Sequence, residues 1–88
     1  MAKKANLETR ARRCWMEGVR VWVELTDQRI FSFPAAKYPR LSSVPQSLLD
    51  QVVLRVQGRA LRWEALDEDI WIEDALLGRF PRTKKIAA

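Results

Sequence analysis

This chain has no histidine, one cysteine, three glycines, and no apolar run near the roughly 20 residues that span a bilayer. Each shortage excludes something. Without histidine the commonest general base and transition-metal ligand is missing, so no enzyme activity, cofactor or metal site is expected. The lone Cys14 cannot close an internal disulfide, which fits a reducing cytoplasmic setting. Beside Arg12 and Arg13, with no imidazole, it reads as a small core hydrophobe rather than a nucleophile. The opening Met1-Ala2-Lys3-Lys4-Ala5-Asn6 lacks the apolar stretch of a secretory signal, so no membrane association is expected.

What remains is 88 residues with a net charge of +5, unevenly spread. Six of the eleven acidic residues lie between Glu64 and Asp74, and both ends of the chain are basic. The length suits one domain with a thin core. Residues 1–9 are expected to be a flexible basic N-terminus, 10–80 a single domain, and 81–88 a flexible basic tail.

Val19-Arg20-Val21-Trp22-Val23-Glu24-Leu25 alternates strictly, with Val19, Val21, Val23 and Leu25 on one face. A preceding strand is expected over residues 11–16, ending at Glu17-Gly18. A following one is expected over Ile30-Phe31-Ser32-Phe33, stopped by Pro34. Pro45 suits the first turn of a short helix running to about Val52, with Val44 as a poor N-cap and Leu48, Leu49 and Val52 facing the core. Gly58-Arg59 reads as a two-residue type II′ hairpin loop between strands at 53–57 and 60–64. Ile70-Trp71-Ile72 is a short extended piece, followed by a helical turn that Gly78 closes in the left-handed conformation. The predicted fold is α+β: a small two-layer domain whose antiparallel sheet of hairpins carries one short helix. Its predicted core is Val19, Val21, Val23, Leu25, Phe33, Leu48, Leu54, Val56, Leu61, Trp63, Ile70 and Leu76.

The succession Leu25-Thr26-Asp27, Phe33-Pro34, Tyr38-Pro39-Arg40-Leu41, Gly58, Trp63-Glu64, Leu66-Asp67-Glu68-Asp69-Ile70 and Leu76-Leu77 resembles the small bacterial family called domain of unknown function 2442. The resemblance covers about residues 11–80 and rests most on Pro39-Arg40-Leu41 and Leu66-Asp67-Glu68-Asp69-Ile70. It implies a small α+β domain with an antiparallel sheet, often encoded beside a second small family, domain of unknown function 4160, in loci that look like toxin–antitoxin pairs. It carries no established catalytic residues. The chain departs from the family pattern at Gln28, where glycine is usual in the turn, at Val44, where a capping residue is usual, and at Trp71, where a smaller residue is usual.

Two functional expectations follow. The first is a protein-interaction module, antitoxin-like, whose partner is another small protein encoded nearby. Its candidate surface is Trp22, Trp71 and Phe80. The second is a nucleic-acid-binding accessory protein using the basic termini, with arginine–tryptophan interleaving at Arg12-Arg13/Trp15, Arg20/Trp22 and Arg62/Trp63. The motif residues Pro39, Arg40, Leu41, Trp63, Asp67, Glu68 and Asp69 are expected to be structural, with Arg40 reaching the acidic turn at Asp67 or Asp69. The consecutive acids lack the order and central glycine of a calcium loop, so arginine and backbone amides are their expected partners.

Overall fold

Gly18 and Val19 form the first turn of a six-stranded molecule, seen in a computed structural model that describes residues 9–81. The expectations for residues 1–8 and 82–88 lie outside the described residues. Strands β1 (Ala11–Glu17), β2 (Arg20–Leu25) and β3 (Ile30–Pro34) make one antiparallel sheet in sequence order. Strands β4 (Val53–Arg55), β5 (Ala60–Trp63) and β6 (Glu68–Trp71) make a second. Two short helices, α1 (Gln46–Leu49) and α2 (Ile72–Leu76), complete an α+β fold. The expected antiparallel sheet of hairpins is thus two three-stranded ones, and the expected helical turn before Gly78 is a second short helix.

In the first sheet Val21 sits between Met16 and Phe33, and Val23 between Cys14 and Phe31. This face closes over the buried Leu41, Leu49, Leu61, Trp63, Ile70 and Ile72. Val19 is 63% exposed because it is the second residue of a two-residue loop whose first, Gly18, has φ +59. That glycine-first loop is the type II′ geometry expected instead at Gly58-Arg59.

At 56–59 the loop between Arg55 and Ala60 has four residues, not two. Val56, Gln57 and Gly58 all have positive φ, at +55, +57 and +88. The curl throws Val56 outward, so its predicted place in the core is overturned. Leu48, Leu54 and Leu76 are half-buried rather than inside, with Leu54 and Leu76 packed at the margin of the core. Helix α1 is only four residues, with Pro45 outside it as N-cap and Val44 half-buried against the core. Gln46 ties it to the first hairpin by donating to the carbonyl of Gly18 at 2.7 Å. Helix α2 ends as expected: Gly78 has φ +75, and the amides of Gly78 and Arg79 donate to the carbonyls of Ala75 and Asp74.

Four exposed residues other than glycine hold left-handed backbone angles: Gln28 at φ +76, in the turn after β2, Val56 at φ +55, Gln57 at φ +57 and Asp67 at φ +52. A left-handed conformation costs an ordinary residue about 1–2 kcal/mol, and glycine gives some of that back through its floppier unfolded chain. Gln28→Gly and Val56→Asn should each stabilise the domain by up to about 1 kcal/mol, or about 4–8 °C in Tm. Lower melting temperatures for both would mean that the native side chains contribute more than their backbone angles cost.

Candidate functional site

Three places bring chemistry-bearing side chains together. The first is the acidic turn, where three arginines divide the carboxylates, Arg55 holding Glu64 at 2.9 Å. Arg62 on β5 lies opposite Asp69 on β6. Its guanidinium meets Asp69 at 2.8 Å, Asp67 at 2.9 Å and Glu64 at 3.2 Å. Arg40 takes what is left: Glu68 at 3.1 Å and, as donor, the carbonyl of Leu66 at 3.1 Å. Arg40 therefore reaches the acidic turn as expected, but through Glu68 and not through Asp67 or Asp69. The connection it anchors is a single turn of 3-10 helix at Pro39–Leu41, with Leu41 buried beneath it.

These partners set the titration behaviour. Hydrogen bonds from Arg62 hold Asp67 and Glu64 below the usual carboxylate range, and the three carboxylates push Arg62 further up. Glu68 moves the other way, raised first by burial and then by its acidic neighbours, against the pull of Arg40. A lowered carboxyl stabilises the fold above its unfolded pKa and loses that contribution as pH falls through its folded pKa. Glu68 has the opposite sign. Replacing Arg62 by glutamine should therefore shrink the loss of Tm between neutral and strongly acid pH, while Glu68→Gln should enlarge it. Unchanged pH profiles in both would refute this division of partners.

Arg40 is 60% exposed at its side chain and Glu68 only 16%. A half-solvated pair of this kind couples by about 0.5–1 kcal/mol. Arg40→Ala should cost more than Glu68→Ala, because it strands a carboxylate that burial already disfavours. A double-mutant cycle should show coupling for Arg40 with Glu68 and additivity for Arg40 with Asp69.

The second place is an open cleft of about 240 Å³ beside β6, lined by Tyr38, Asp69, Ile70, Trp71, Asp74, Arg79, Phe80 and Pro81. Trp71 is 53% exposed. Arg79 holds Asp74 at 2.9 Å and Glu73 at 3.7 Å. Phe80, expected as surface, is instead half-buried in an aromatic cluster, 5.6 Å from Tyr38 and 6.1 Å from Phe33. Tyr38 is buried, and its hydroxyl has no hydrogen-bond partner among the described residues. Burial, with Asp74 and Glu68 nearby, pushes that hydroxyl up to about 12.

The third place is the outer face of the first sheet. Trp15 and Trp22 are cross-strand partners stacked at 6.2 Å and 10°. The guanidinium of Arg13 lies 4.8 Å from the Trp15 ring. An extra residue in β1 between Ala11 and Arg13 brings Arg12 and Arg13 together onto the buried Glu24, at 3.1 and 2.7 Å. Trp22 is thus half-buried in a pair, not an isolated surface residue. Trp63 belongs to neither face: it is buried, and its indole N–H donates to the carbonyl of Leu49 at 3.0 Å. Cys14 has its thiol pushed up to about 11 by burial, which suits an inert core group.

The family model described as "Protein of unknown function (DUF2442)" matches residues 15–81. The chain belongs to this family. A crystal structure of a protein of unknown function from Rhodospirillum rubrum is 30% identical, with a TM-score of 0.79 over 85% of this chain and 93% of that one. A solution structure of an uncharacterised protein from Chromobacterium violaceum is 16% identical, with a TM-score of 0.74 over 90% of this chain and 74% of that one, and shares the fold. No curated protein matches. Among the described residues no helix is long and apolar enough to cross a membrane.

Several members of these sites carry no assigned role in the sequence, among them Glu24, Asp74 and Arg79 as well as Arg62 and Tyr38. Arg62 had a signal, since pairing the strands around Gly58 brings it near the acids that follow. Tyr38 had none beyond its place in the Tyr38-Pro39-Arg40-Leu41 motif.

Proposed function

We propose that this family member is a non-enzymatic interaction module acting in the cytoplasm, the antitoxin-like half of a small bacterial two-protein system. The observation that carries the reading is Trp71. A tryptophan more than half exposed at the mouth of a cleft, on a strand at the margin of its sheet, is the kind of residue that anchors protein interfaces. The inert Cys14 and the lack of histidine agree with a binding role. The test is co-expression with the product of the adjacent small gene. Co-elution as one complex, lost in Trp71→Ala, supports the reading, and so does growth arrest by the partner alone that this chain relieves. Separate elution of two folded proteins defeats it.

A second reading is supported by the Trp15–Trp22 pair with Arg13 above it, which offers a half-exposed aromatic surface beside guanidinium groups, as single-stranded nucleic acid binders do. Its test is binding to labelled single-stranded DNA or RNA across a salt series. Phosphate contacts weaken steeply with salt, and no binding at low salt ends this reading.

A further inference from the structure

Among the described residues strand β6 lies at the edge of its sheet, with β5 on one side and no strand on the other. The amide of Ile72 donates to the carbonyl of Arg59 at 2.8 Å, and the register sets Ile70 opposite Leu61 and Glu68 opposite Trp63. In an antiparallel ladder, residues that bond their neighbour alternate with residues that do not. Glu68 and Ile70 therefore turn their backbone groups toward β5, while Asp69 and Trp71 turn theirs outward. Among the described residues no hydrogen bond outside the sheet reaches the backbone of Asp69 or Trp71. An edge of this kind is a template for another strand unless it is guarded by lysine, proline or a bulge. No lysine, proline or bulge stands in Glu68-Asp69-Ile70-Trp71, and what guards this four-residue edge is its shortness and the charge of Glu68 and Asp69.

What β6 carries instead is negative charge. Asp67, Glu68, Asp69, Glu73 and Asp74 surround it, against Arg40, Arg62 and Arg79, on a chain whose net charge is +5. Two copies paired through β6 across a two-fold axis would set these carboxylates against each other, which disfavours a homodimer here. A basic strand meets no such penalty. Arg79 already shows what the cleft accepts, since this guanidinium, 55% exposed, sits on Asp74 and Glu73.

We infer that β6 is a strand-addition site for a basic extended segment of a partner protein. The segment pairs its backbone with Asp69 and Trp71, lays one side chain across the Trp71 indole, and sets a cationic side chain against Asp69 and Asp74. Tyr38 lines the same cleft. This inference rests on the interaction-module reading and supplies the chemistry of the partner.

The test uses the full chain and an acetylated, amidated hexapeptide of alternating arginine and valine. Saturating peptide should slow hydrogen exchange at the Asp69 and Trp71 amides by at least about tenfold, the signature of new ladder bonds. An alternating glutamate–valine peptide should do nothing. N-methylation of every second amide of the arginine–valine peptide should abolish binding, because it removes the ladder and keeps charge and side chains. Asp69→Asn combined with Asp74→Asn should weaken binding about tenfold or more. Peptide that does not bind, that binds without protecting these two amides, or that binds equally well when methylated overturns the inference. So does protection of both amides in the free protein, which would mean that a second copy or another part of the chain already holds the edge; dependence on protein concentration tells these apart. If the peptide fails while the adjacent-gene partner still binds through Trp71, strand addition is wrong and the module reading stands. If the peptide binds at β6 and that partner does not bind at all, strand addition stands without it.

Discussion

Replacing Gly58 by alanine should remove much of the stability of this domain. Gly58 is buried, and its carbonyl accepts a hydrogen bond from the amide of Ala11 at 2.7 Å, a backbone link between the two sheets. A Cβ built at Gly58 would lie 2.5 Å from the carbonyl oxygen of Ala11, a backbone atom in β1 that cannot swing aside. The residue also has φ +88. The backbone angle alone costs about 1–2 kcal/mol in an alanine, and relieving the overlap requires the loop to back away and the link to lengthen. The combined loss should be about 3 kcal/mol or more, from a domain of this size that carries about 4–13 kcal/mol in all. Gly18→Ala is the matched control. Its φ is +59, but nothing lies within 4 Å of the added carbon, so its loss should stay near 1–2 kcal/mol. Equal losses in the two variants, measured by denaturant unfolding, would show that the approach of Ala11 does not matter.

The second large effect is expected at Trp63. Its side chain is 1% exposed at the centre of the core, and its indole N–H is spent on the Leu49 carbonyl at the end of α1. Trp63→Ala leaves the largest cavity a single substitution can make here and should cost about 3–5 kcal/mol, a fall in Tm of roughly 12–40 °C at 4–8 °C per kcal/mol. Trp63→Phe keeps much of the apolar fill but orphans a carbonyl, which should cost about 1–3 kcal/mol. The gap between the two variants separates packing from the hydrogen bond. If Phe is as damaging as Ala, the bond to Leu49 dominates. If Phe is harmless, that bond contributes little.

The parts of this structure that were legible in the sequence are those set by local pattern. Strict alternation in Val21, Val23 and Leu25 put the right face inward, and Gly78 announced the end of α2. The failures came where one residue type answers to two physical demands. Glycine serves both a tight turn and a close approach. At Gly18 the demand is the two-residue loop, while at Gly58 it is the nearness of Ala11, a residue distant in sequence, so local pattern predicts too short a loop there and puts Val56 inside. The acidic turn was visible as a cluster, and its tie to Arg40 was expected. The choice of Glu68 was not, because it depends on Arg62 claiming Asp67 and Asp69 first, and that follows from the register of β5 on β6. The cleft was illegible altogether. It forms between β6 and the segment at 79–81, two pieces whose nearness no periodicity encodes.

The order of the strands has a consequence for how the chain reaches this fold. Among the described residues every strand pairs only with its neighbours in sequence, β1 to β2 to β3 and β4 to β5 to β6. Each sheet thus closes through short loops, and the entropy lost in closing a loop grows only slowly from a small starting value. The long-range step is left to a single event, the docking of one finished meander on the other. During synthesis the first meander is complete once Pro34 has cleared the ribosome, well before β4 exists, and its apolar face of Val21, Val23 and Phe33 must wait uncovered. The basic, tryptophan-covered opposite face gives that half-made protein one water-compatible side while it waits.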